Sequence, residues 1–168
     1  MQRCAFDVRY PLRRPWLAIT ASLVTVYNSH PVETVAGDEL TVLVEQVLHG
    51  ESAGDAIVTV ILCDHDEHRK LHLKYLGHDY PTDVLAFSLG EGDQLEGEVY
   101  VDLDTARERH REFESSFEME VARYVIHGTL HLLGFDDHDS DTRSRMKIRE
   151  DHYVNALATR RSHGRTEP

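Results

Sequence analysis

Alternation of apolar and polar positions begins at Ser22–Asn28 (SLVTVYN), where β-branched residues predict a strand. Gly37-Asp38 opens a helical stripe through Leu40, Val42, Leu43, Val44, Val47 and Leu48. Asp55–Cys63 (DAIVTVILC) is an almost unbroken apolar run, the pattern of a strand buried on both faces. Asp64–Tyr75 is charged, with Leu71 and Leu73, and reads as a short helix. Two more strands are predicted at Asp83–Ser88 and Glu98–Leu103, with a turn at Gly90-Glu-Gly-Asp between them. Helices are then expected over Thr105–Glu114, Glu118–Leu133 and Asp141–Ala158. Interleaved elements early and helices late give the α/β (α+β) class. The expected fold is a single mixed sheet of about four strands packed with about five helices.

The two ends read differently. Arg3, Arg9, Arg13 and Arg14 surround Pro11, Pro15 and Trp16 before the apolar run of the first strand. Basic-then-apolar is the outline of a signal peptide, but Thr and Ser interrupt the apolar part and no small-x-small cleavage site follows. Residues 1–21 are therefore expected to be a loose extension, 22–158 the single domain, and 159–168 a frayed polar tail. The chain has 168 residues, which suits one domain. No apolar run approaches the ~18 residues of a membrane helix. Two cysteines, Cys4 and Cys63, exclude a disulfide framework and a four-cysteine zinc site. The net charge of −12 argues against a basic, non-specific nucleic-acid binder. With 12 histidines, however, metal chemistry becomes worth seeking.

That chemistry gathers in Val125–Asp141, VIHGTLHLLGFDDHDSD. His127 and His131 are four apart, so a helix presents both imidazoles on one face, as two ligands of one Zn²⁺ require. Gly134 can end the helix in the left-handed conformation and turn the chain back. Asp137 and His138 follow, and either can be the third ligand. Three protein ligands leave a coordination position open, the arrangement of a catalytic metal. The spacing resembles that of metzincin proteases, but their Glu after the first His is Gly128 here. The peptidase base is missing.

Val125–Asp137 also resembles the YbeY family, the endoribonucleases and rRNA maturation factors of bacteria. Its signature is His-Gly-x-Leu-His-Leu-x-Gly-Tyr-Asp-His. His127, Gly128, Leu130, His131, Leu132, Gly134 and Asp136 match in place, Phe135 replaces Tyr, and Asp137 stands where the third His is usual. A second block agrees through Leu71, Tyr75, Asp79, Thr82, Asp83, Val84, Leu85 and Phe87, and a third through Gly97, Glu98 and Val99. The resemblance implies a zinc-dependent, single-strand-specific endoribonuclease with one Zn²⁺ per chain, held by His127, His131 and Asp137, with His138 as the alternative third ligand. Those histidines would be catalytic through the metal. The resemblance further implies 16S rRNA 3′-end maturation and ribosome quality control, with rRNA and the small ribosomal subunit as partners. No DNA or membrane partner is implied, and the location is cytoplasmic.

The chain departs from the family in two places. The usual Arg after the Tyr, a natural phosphate clamp, is Leu76, and the usual Asn is His72. His78 could supply a substrate contact in place of that Arg. Asp79, Asp83 and Glu98 are candidate bases, and Asp136 is expected to orient a ligand. Arg107, Arg109, Arg111 and Arg123 could give local positive potential despite the acidic total. Two other readings compete: a ribosome assembly factor with a structural metal, and a metal-dependent hydrolase of another substrate. Gly128 weighs against a peptidase, and the open coordination position weighs against a structural metal.

Overall fold

A computed structural model describes residues 22–77, 82–90, 94–112 and 115–163. The expected extension 1–21, the sites His78 and Asp79, and part of the turn after Gly90 lie outside the described residues. In chain order the elements are β1 (Leu23–Asn28), α1 (Gly37–Gly50), β2 (Ala56–Cys63), α2 (His65–Leu76), β3 (Val84–Ser88), β4 (Leu95–Asp102), α3 (Leu103–Arg109), α4 (Phe117–Leu132) and α5 (Ser140–His163). This is an α+β fold with one mixed sheet of order β1-β2-β4-β3. β1, β2 and β4 run parallel and β3 is antiparallel to β4.

Alternation decides which side chains meet which helices. Val58, Val60 and Leu62 of β2 and Val99 and Val101 of β4 are fully buried. They share one core with Leu43, Val44 and Val47 of α1 and with Val121, Val125 and Ile126 of α4. Phe87 and Tyr100 alternate to the other face, where Tyr75 of α2 packs on Phe87 with ring centroids 5.3 Å apart. α4 lies close against the sheet because residue 128 has no side chain. A Cβ on Gly128 would sit 2.4 Å from Val99 Cγ1 and 2.8 Å from Val84 Cγ2. α5 lies along α4 and buries Met146, Tyr153 and Val154, a stripe at helical spacing.

Several boundaries differ from the sequence reading, α3 among them ending at Arg109 rather than Glu114. β4 starts at Leu95 rather than Glu98 and takes in Gly97, where the strand passes close to α4: a Cβ there would meet Leu132 Cδ2 at 2.6 Å. α3 starts earlier, at Leu103, where Asp102 caps it by accepting from Thr105 N at 3.1 Å. α5 continues past Ala158 through His163, with Arg160 reaching Gln46 and Arg161 reaching Glu39 of α1.

Candidate metal centre

The site is assembled by the end of α4. Ser116 starts the helix by accepting from Met119 N at 3.2 Å. At the other end Gly134 N bonds to His131 O at 2.9 Å and Phe135 N bonds to Leu130 O at 3.0 Å. These are the two bonds of a Schellman turn, with Gly134 left-handed at φ 86°. The reversal brings the Phe135 carbonyl to His131 Nδ1 at 3.0 Å and carries Asp137 back under the helix. Asp136 fixes the returning segment, accepting from Asp137 N at 2.7 Å and pairing with the His138 ring.

His127, His131 and Asp137 come together. Their ligating atoms lie within 4.8 Å of one another. His131 Nε2 is 3.0 Å from His127 Nε2, and Asp137 carboxylate oxygens lie 3.7 Å from His127 Nε2 and 3.9 Å from His131 Nε2. Ligands spaced tetrahedrally around Zn²⁺ at ~2.0–2.1 Å would be about 3.3–3.4 Å apart, so these separations bracket such a site. His138 turns away, with its side chain 82% exposed against Asp136.

The hydrogen bonds define what the two imidazoles offer. His131 Nδ1 faces a carbonyl, so it must carry the proton. His127 Nδ1 faces Glu150 Oε2 of α5 at 3.1 Å, so it also donates. Both Nε2 atoms then present lone pairs to each other and to a carboxylate, an arrangement that a cation relieves. Without a metal, a proton must do so, and the shifts of the two rings diverge accordingly. Burial pushes His127 down, but the hydrogen bond and charge of Glu150, with Asp83 and Asp137, raise it above 6.5. Burial and the neighbouring His127 hold His131 below that value. Burial raises Glu150, yet its bonds from His127 and from Arg123 Nη1 at 2.5 Å hold it below the ordinary glutamate value. The donor set therefore fits a divalent metal, with Glu150 and the Phe135 carbonyl orienting the two rings.

Glu150 was not legible in the sequence, because only the packing of α5 on α4 brings it to His127. Asp136, expected to orient a ligand, touches Asp137 only through its backbone amide, and it is Glu150 that holds an imidazole. Glu98 is on the far face of the sheet, accepting from Tyr100 OH at 2.9 Å, so it cannot serve this site. Asp83 is near enough for its charge to raise His127, and Arg109 Nη1 lies 3.6 Å from it. Residue 128 points at the sheet, so no side chain there could act as base on the metal.

Comparison with known proteins gives a consistent result. The family model described as Endoribonuclease YbeY matches residues 26–158. The chain is 43% identical over 143 residues to Endoribonuclease YbeY of Salinibacter ruber, covering 80% of this chain and 91% of the relative. It is 40% identical over 114 residues to Endoribonuclease YbeY of Chloroherpeton thalassium, covering 68% and 81% respectively. A solution structure of a Thermotoga maritima protein superposes with a TM-score of 0.56 at 30% identity, covering 88% of this chain and 96% of that one. With its helix-borne histidine pair, its sheet order and this breadth of similarity, the chain belongs to the YbeY endoribonuclease family.

Proposed function

We propose that this protein is a zinc-dependent, single-strand-specific endoribonuclease of the cytoplasm. Its role is in 16S rRNA 3′-end maturation and ribosome quality control, with the small ribosomal subunit as partner. The observation that carries the reading is the convergence of two imidazole lone pairs and one carboxylate, from His127, His131 and Asp137, on a partly exposed point. Three ligands leave room for a substrate oxygen, which a structural site does not need. A metal there supplies Lewis-acid polarisation of a phosphoryl oxygen. The chain does the rest: Glu150 and the Phe135 carbonyl keep both Nδ1 protons in place, so Nε2 alone is offered to the metal. Gly128 leaves the metzincin base position empty, which favours a phosphodiester over a peptide. Asp83 is a further acid whose charge reaches His127.

The test is cleavage of a single-stranded RNA by zinc-loaded wild type and by His127→Ala taken through the same purification. Wild type should cut, and the variant should lose at least a hundredfold in rate. Equal cleavage by both would assign the activity to a contaminant or another site. Among the described residues no helix is long and apolar enough to cross a membrane.

A further inference from the structure

The carboxyl ends of the three parallel strands lie side by side, with Asn28 paired to Leu62 and Cys63 to Asp102. In open sheets with parallel strands, this edge is where ligands bind. Here it borders a cavity of about 770 Å³, lined among others by His65, Asp83, Glu108 and Arg109. Asp83 belongs to both regions: it lines the cavity, and its charge acts on His127. Its neighbour Val84 packs where α4 passes at Gly128, one residue from that imidazole.

We infer that this cavity is a ribonucleotide subsite, which takes the ribose phosphate of a nucleotide flanking the scissile one. Arg109 and His65 bind its phosphate. The inference rests on the endoribonuclease reading of the metal centre and names where the strand continues.

His65 is built to hold a fixed position. Its Nδ1 lies 2.7 Å from Oδ2 of Asp102, which is fully buried. Asp102 also accepts from Thr105 N at 3.1 Å and from Thr105 Oγ1 at 2.7 Å, so both of its oxygens are anchored. The ring therefore donates through Nδ1 to Asp102, and as the imidazolium it donates through Nε2 to a phosphate oxygen. Arg109 is half exposed and meets Asp83 at 3.6 Å, longer than a hydrogen bond. The other arginines near this region are more tightly held: Arg107 binds Glu33 through Nε at 2.9 Å and also through Nη2, and Arg123 binds Glu150 at 2.5 Å. Arg109 is thus the guanidinium most readily given to an incoming phosphate. Asp104, another lining acid, is engaged by His65 N at 3.0 Å and by His30 Nε2 at 3.2 Å. That leaves Asp83 and Glu108 to accept ribose hydroxyls, the groups that distinguish RNA from DNA. The subsite also restores what Leu76 removes. That position is a 41% exposed apolar side chain, and Arg109 brings a cation to the cavity, beside Asp83, from α3 instead.

The experiment uses the full chain stripped of metal, titrated with uridine 3′-monophosphate and followed by the NMR signals of the histidine rings. His65 should shift with saturation, ahead of His127 and His131. Affinity should fall at least fivefold in Arg109→Ala, an exposed change that leaves Asp102 its partners, and at least fivefold for the 2′-deoxy nucleotide. An unmoved His65 signal, or equal affinity in Arg109→Ala, would overturn the subsite. RNA cleavage by zinc-loaded protein is measured alongside. Nucleotide binding at His65 without cleavage would support the subsite and refute the endoribonuclease reading. Cleavage without such binding would do the reverse.

Discussion

Glu150→Gln probes the metal centre without touching a ligand. The Glu150 carboxylate is 13% exposed and accepts from His127 Nδ1 at 3.1 Å and from Arg123 Nη1 at 2.5 Å. Glutamine keeps the size but has one acceptor oxygen, and its amide group would face whichever donor it does not satisfy. One charge-assisted bond is therefore lost, at about 1.5–3 kcal/mol when fully buried. His127 and Arg123 are 23% and 33% exposed, so solvent screens part of the loss and the lower end applies. If that loss falls on the orientation of His127, zinc binds about tenfold more weakly, the low end of the ~10–100-fold range for such supporting groups. The assay is competition with a chromophoric chelator at fixed pH and salt, paired with thermal unfolding in excess chelator to show that the fold is intact. Unchanged zinc affinity in a folded Glu150→Gln protein would refute the claim that this carboxylate sets the imidazole.

Other changes separate the parts of the account. Asp137→Ala should weaken zinc binding by at least tenfold while His138→Ala leaves it unchanged, and the reverse order would make His138 the third ligand. Gly128→Ala forces a Cβ to within 2.4 Å of Val99 and should cost about 1–3 kcal/mol of stability, read as a lower melting temperature. Gly134→Ala puts a side chain at φ 86° and should cost about 1–2 kcal/mol, with zinc affinity falling too because the turn carries Asp137. With Arg107 and Arg123 tied to carboxylates, phosphate contacts are few, so the logarithm of RNA affinity against that of salt should have a slope shallower than about −2.

What was legible in the sequence was local. His127 and His131 lie one turn apart on α4 and Gly134 just past its end, so their spacing alone forecasts a shared face and a reversal. The choice between Asp137 and His138 was open in the residue pattern, because it depends on how the chain leaves Gly134. In the structure His138 pairs with Asp136, and Asp137 faces the imidazoles. α2 was read from its leucines, yet Leu73 is 52% exposed while His68 and His72 are buried. Its position over the sheet, not hydropathy, decides which face turns inward. Glu150 is brought to His127 by packing between elements far apart in the chain, and no periodicity could have pointed to it. Arg109 is one of four arginines named for local positive potential, and only the packing of α3 sets it beside Asp83. Gly97 falls just before the strand predicted from Glu98, and its place within β4 follows from Leu132 lying above it.

The central claim is that RNA cleavage depends on a metal held by His127, His131 and Asp137. The most direct measurement adds zinc back to metal-stripped protein in steps and records the rate of single-stranded RNA cleavage at each. The account predicts a rate that rises linearly and stops at one zinc per chain in wild type, with no rise in His131→Ala. Cleavage that is undiminished in the stripped protein, or restored equally in His131→Ala, would contradict it.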